Sequence, residues 1–216
     1  MRVHNRFVRL FLGAAVLAVP ACAQQWEMGV LGGGGFYMNR GISGPRGSGN
    51  VGFKPGLAAG GWIGHNSTGR LGGEIRYLFQ KNDMRVTSGS NTYTFGGHSH
   101  ALHYDLLLHA NSIEDAVRPF IAVGGGMKGY QGTGTERAFQ PLGNIAILTK
   151  TTQWKPLISF GAGVKWNISP RIVLRAEVRD YLTQVPTDVI LPAPGAKLGG
   201  WFHDITPTFG ISYLLQ

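Results

Sequence analysis

The sequence predicts an all-β protein: a closed, antiparallel, eight-stranded, up-and-down transmembrane β-barrel with short periplasmic turns and four long extracellular loops. Three observations predict it. Apolar and polar residues alternate with a period of two in eight segments, each near the ~9–11 residues that a tilted membrane strand needs. The connections between the segments are alternately short and long. The polar faces carry glycine, alanine and serine or charged side chains of both signs, which suits a cramped enclosed interior.

The chain opens with an address label. Arg2, Arg6 and Arg9 precede an apolar run, Phe11 to Val19, that ends in Ala21-Cys22-Ala23. This is the pattern of a signal peptide over residues 1–23, cleaved after Ala23. A rival reading takes Val19-Pro20-Ala21-Cys22 as a lipoprotein box with Cys22 lipidated, but Pro20 fits such a box poorly and a strand pattern begins at Gln25. Removing 23 of the 216 residues leaves 193, a single barrel domain over residues 24–216. With cleavage after Ala23 the only cysteine is lost, so the exported chain has no disulfide.

The eight segments follow in order. The first places Trp26, Met28, Val30 and Phe36 on one face around a run of glycines. The second runs from Val51 to Gly64, with Val51, Phe53, Leu57, Ala59 and Ile63 on one face. In the third, Leu71, Ile75, Tyr77 and Phe79 alternate with Gly72, Glu74 and Arg76. The fourth sets Leu102, Tyr104, Leu106 and Leu108 against His103, Asp105 and His109, and the fifth carries Ile121, Val123 and Met127 among glycines. The sixth opposes Ile158, Phe160, Val164 and Trp166 to Ser159, Gly161, Gly163 and Lys165. The seventh opposes Leu174, Ala176 and Val178 to Arg175, Glu177 and Arg179. The last alternates Ile205, Phe209, Ile211, Tyr213 and Leu215 with Thr206, Thr208, Gly210 and Ser212.

Short turns are expected at His65–Gly69, Asn111–Ala116 and Asn167–Pro170, and long loops at 37–50, 80–98, 128–153 and 183–202. A soluble sandwich would pack one face of each strand in a dry core and wet the other, which gives no reason for small residues beside charged ones on the polar face. Pro55, Pro119, Pro156 and Pro207 should lie at rims or bulges, because proline cannot donate to a ladder. The tryptophans 26, 62, 154, 166 and 201, with tyrosines 37, 77, 104, 181 and 213, are expected to form interfacial girdles.

Thr208, Gly210, Tyr213 and Leu215 resemble the C-terminal assembly signal of outer-membrane proteins, although Gln216 follows and a terminal Phe is absent. Together with the eight alternating segments, the chain resembles the small outer-membrane β-barrel superfamily of the OmpA transmembrane domain and OmpX over residues 25–215. The resemblance implies residence in the outer membrane of a Gram-negative bacterium and insertion by the barrel-assembly machinery.

Charge narrows the partners. The formal charge is +9, and without the three signal arginines it is +6, from 17 basic and 11 acidic residues. No basic run marks a nucleic-acid arm, and the natural counter-charge is outer-membrane lipid or lipopolysaccharide phosphate. An extracellular ligand for the loops is unidentified.

Glu74, Arg76, His103, Asp105, Lys165, Arg175, Glu177 and Arg179 all point inward in this reading, and such charges should pair in a lumen network that plugs the barrel or gates a narrow ion path. Ser99, His103 and Asp105 contain the residue types of a hydrolytic triad, yet His103 and Asp105 face the lumen whereas lipid would approach from outside. Histidines 98, 100, 103 and 109 do not form a specific ligand pattern, and Gly124–Gly129 lacks the spacing of a phosphate loop. No catalytic residue, cofactor or metal is therefore assigned. The leading function is structural or surface-interacting, through the loops in adhesion, defence or envelope integrity. The alternatives are a narrow pore for ions or small solutes and a lipid-modifying enzyme.

Overall fold

The computed structural model describes residues 25–67 and 69–215. The expected signal peptide, and the choice between cleavage after Ala23 and lipidation at Cys22, lie outside the described residues. In chain order the elements are β1 (Gln25–Tyr37), β2 (Arg40–Gly44), β3 (Gly47–Phe53), β4 (Gly56–Asn66), β5 (Leu71–Lys81), β6 (Met84–Ser88) and β7 (Asn91–Phe95). They continue with β8 (Gly97–His109), β9 (Val117–Gly132), β10 (Ala146–Leu148), β11 (Thr152–Asn167), β12 (Ile172–Gln184), β13 (Ile190–Pro192) and β14 (Trp201–Leu215).

Eight of these close an antiparallel barrel in the order β1-β14-β12-β11-β9-β8-β5-β4. Each long strand therefore pairs on both sides, and the short turns gather at one rim with Gln25 and Leu215. The alternation dictates the wall. Val30, Ile75, Leu106, Ile121, Phe160, Val178 and Phe209 project outward, where an apolar surface on all sides requires hydrocarbon around it. Inward positions carry the charges and the small residues that leave them room.

Two expectations about the long connections are corrected. The segment from Val51 to Gly64 is not one strand: Lys54 and Pro55 separate β3 from β4. Val51 and Phe53 are buried above the barrel, whereas Leu57 is 79% exposed on its wall. Nor are the four long connections loop throughout, because they carry strands of their own. β2, β3, β6 and β7 form a four-stranded sheet, and β10 pairs with β13. These elements cover a dry cluster that includes Tyr37, Ile42, Val51, Phe53, Met84, Tyr130, Leu148, Ile190 and Phe202. Phe53 stacks on Tyr130 with ring centroids 5.0 Å apart and meets Phe202 edge-on at 5.5 Å, so the barrel wears an aromatic cap.

The girdle is smaller than expected. Trp26, Trp154, Trp166, Trp201, Tyr77, Tyr104 and Tyr213 face outward, but Trp62, Tyr37 and Tyr181 point inward and are buried. Pro55 lies at a rim, Pro119 near the short-turn rim, and Pro156 just outside the β11–β12 ladder, which begins at Leu157. Pro207 departs from the expectation, because it lies in the middle of β14. The β1–β14 ladder runs from Trp26↔Leu215 to Gly33↔Thr208 and resumes only at Phe36↔Ile205. The missing proline N–H thus coincides with a gap in the seam where the first and last strands join.

Candidate functional site

The inward charges form layers along the barrel axis. β5 and β12 stand opposite each other, four places apart in the ring of eight, so Glu74 and Arg76 face Arg175, Glu177 and Arg179 across the lumen. Arg175 donates from Nη1 to Glu74 Oε2 at 2.6 Å and from Nη2 to Glu177 Oε2 at 2.8 Å. Arg76 donates to Glu74 Oε1 at 2.8 Å and also to Glu177. Arg179 reaches Glu74 at 3.0 Å, Glu177 at 3.1 Å and Asp105 at 3.0 Å. Three guanidiniums thus meet three carboxylates. Arg76 and Arg179 are 0% exposed, so each charge has been taken out of water and depends on its partners.

Below this strut, Lys165 donates to Glu27 at 2.6 Å, and Glu27 also accepts from Ser212 Oγ at 2.8 Å and Trp62 Nε1 at 3.3 Å. Trp62 spreads under the strut, with the Arg175 guanidinium 5.1 Å from its ring centroid. Two glycines make its seat: a Cβ on Gly29 would lie 2.5 Å from Trp62, and one on Gly210 would lie 2.8 Å from it. Above the strut, Lys128 donates to Asp204 at 2.5 Å and Gln80 at 2.6 Å, and its ammonium lies 4.9 Å from the Tyr37 ring centroid. The aromatic cap begins there.

All eight residues of the expected lumen network are therefore buried inward, and seven of them share ion pairs within or between these layers. His103 is the eighth: its Nδ1 lies 3.0 Å from Asp105 Oδ2, but neither ring nitrogen is aligned for a hydrogen bond. Glu27, Lys128, Asp204, Arg118 and Trp62 belong to the same interior and were missed. Their inward parity along the strands was the available signal.

The other candidates are scattered by the fold. Ser99 donates to Gln80 at 3.3 Å and accepts from Asn82 at 3.0 Å, and no hydrogen bond joins it to His103 among the described residues. His103 and His109 are buried in the lumen, whereas His98 and His100 lie on the outer wall. In the expected assembly signal, Thr208 donates to Glu177 at 3.3 Å, Gly210 is part of the Trp62 seat, and Tyr213 and Leu215 face outward. At the loop ends of β5 and β8, Lys81 donates to Asp83 Oδ1 at 2.6 Å and the Gly97 N–H donates to the same oxygen at 3.2 Å. Partial burial raises the Asp83 carboxyl, but the bonds from Lys81 and Gly97 outweigh it and hold the group below the usual carboxylate range.

The sequence profile of the outer membrane protein beta-barrel domain matches residues 10–210. The chain is similar in structure to neisserial surface protein A at 10% identity and a TM-score of 0.54, over 88% of this chain and 96% of that one. It is also similar to the outer membrane protein OprG from Pseudomonas aeruginosa at 10% identity and a TM-score of 0.57, over the same shares of each chain. At such identities the likeness shows the fold alone. No curated protein matches the chain.

Proposed function

Because the chain belongs to the outer membrane protein beta-barrel domain family and resides in the outer membrane, we propose that it is a closed, non-enzymatic barrel acting through the surface it presents outside the cell. The observation that carries this reading is the double closure of the lumen. A fully buried ion strut fills its middle and an aromatic cap covers its outer mouth, so an ion crossing it would have to break both.

The folded loops favour an interaction role over a passive anchor, since ordered loops present a fixed surface without a large entropy cost on binding. They carry seven basic and three acidic side chains, whereas the short turns at the other rim carry two of each. An anionic partner therefore fits the outer surface: lipopolysaccharide phosphate alongside the outer-membrane lipid, or an extracellular ligand of the same sign. The strand-terminal pattern from Thr208 to Leu215 supports recognition by the barrel-assembly machinery.

Conductance in a planar bilayer tests the closed reading. The folded chain should add no discrete openings. Stable single-channel steps would overturn the proposal in favour of a pore for ions or small solutes.

A further inference from the structure

We propose that His98 and His100 form a binding site for a divalent transition-metal ion, Cu2+ ahead of Zn2+, on the outer wall of the barrel at its extracellular rim. Both lie near the start of β8 and are separated by one residue, so a strand sends their side chains to the same side. Their ring centroids are 5.0 Å apart with the ring planes nearly perpendicular. A metal bound to two imidazoles at about 2.0–2.1 Å sits ~3.2 Å from each centroid, and ligand angles of about 90–110° then place the centroids ~4.5–5.2 Å apart. The observed separation falls in that interval.

The surroundings give each ring access to a ligating form. Gln131 Oε1 lies 3.0 Å from His98 Nε2, and a carbonyl oxygen only accepts, so Nε2 carries the proton and Nδ1 keeps its lone pair. His100 Nδ1 lies 2.7 Å from the Tyr77 hydroxyl. When that oxygen accepts the Nδ1 proton, the lone pair is left on Nε2. Orientation of a ligand histidine through its other nitrogen is the usual outer support of a metal site. Phe79 packs against both rings at 5.6 and 5.4 Å, which restricts their rotation before any ion arrives.

The cation paired with His98 across the sheet does not block the site. Lys81 is opposite His98 across the β5–β8 ladder, but its ammonium is held by Asp83 at 2.6 Å and the Gly97 carbonyl at 3.1 Å. Among the described residues no third histidine, cysteine or carboxylate joins the pair, so water from the extracellular side completes the coordination sphere. A two-nitrogen site with water follows the Irving–Williams order, which ranks Cu2+ above Zn2+ and Zn2+ above Mn2+.

The test uses the full folded chain in detergent micelles, with CuCl2 added and binding read by calorimetry and by electron paramagnetic resonance. One Cu2+ per barrel with two nitrogen ligands is expected. His98→Ala and His100→Ala should each weaken binding at least tenfold, and Tyr77→Phe should weaken it several-fold. His203→Ala, which alters another outer-wall imidazole, should leave it unchanged. Heat-modifiable migration on a gel checks that each variant is folded. Wild-type affinity in both single variants, a one-nitrogen spectrum, or loss of binding in His203→Ala would overturn the proposal.

Discussion

Glu74→Gln removes one charge from the centre of the strut while keeping the size of the side chain. Glu74 accepts from Arg76 at 2.8 Å, Arg175 at 2.6 Å and Arg179 at 3.0 Å, so the variant leaves three buried guanidiniums with Glu177 and Asp105 as the carboxylates in direct contact with them. Breaking a buried pair by removing one partner costs about 3–5 kcal/mol. The two remaining carboxylates argue for the lower end, about 3 kcal/mol. With a urea slope of ~2 kcal/mol per M, the unfolding midpoint should fall by roughly 1.5 M. The assay is urea unfolding in micelles followed by tryptophan fluorescence, with Asp83→Asn as the control. That residue belongs to a half-exposed pair with Lys81, and such pairs contribute under ~1 kcal/mol. The double variant Glu74→Gln/Arg175→Gln restores the charge balance and should recover part of the loss. If Glu74→Gln behaves like Asp83→Asn, or if the two strut substitutions simply add, the strut does not hold the lumen together as argued.

Three further outcomes follow from the layers around the strut. Gly29→Ala should destabilise the barrel by about 1–3 kcal/mol by driving a methyl into Trp62 and Ser212, and its cost should be smaller in a Trp62→Leu background, where only the Ser212 contact remains, as measured by the same unfolding assay. Phe53→Ala should cost the cap about 3–5 kcal/mol and expose the outer loops to added protease on intact cells, while the heat-modifiable shift of the barrel persists. The Asp83 carboxyl is depressed in the folded chain, so its small contribution is present above the unfolded value of 3.8 and is lost as pH falls through its lower folded value. Hydrogen exchange at the Gly97 amide, corrected for its intrinsic rate, should show protection at neutral pH that declines in that acid window and is reduced at neutral pH in Asp83→Asn.

The barrel was legible because its wall obeys one rule, alternation, which local sequence displays directly. The same rule placed the strut: Glu74 and Arg76 flank Ile75, and Arg175, Glu177 and Arg179 flank Ala176 and Val178. Which charge meets which was not legible, since pairing across the lumen joins residues 101 positions apart, as Arg175 and Glu74 are. Trp62 was misplaced because its residue type suggested the interface, although it shares its parity with Gly60 and Gly64, both on the inward side. The cap was hidden for a different reason. Val51 and Phe53 continue the alternation of the next strand, and only the break at Lys54-Pro55 turns them from wall into lid. Loop composition rich in glycine and serine gave no sign that β2, β3, β6 and β7 would pair with one another.

The gap beside Pro207 gives the cap a second meaning. Past Gly33 and Thr208 the two chain-terminal strands share few rungs, so the joint between them would fray upward if nothing held its free end. Tyr37 crowns β1 and Phe202 stands near the head of β14, and their rings meet edge-on at 6.4 Å inside the dry cluster. A backbone bond from Met38 to His203, 3.0 Å long, lies just beside them. The lid is therefore also a clasp: the zipper is interrupted short of its upper end, and the aromatic knot at its top keeps the two sides of the fastening from parting.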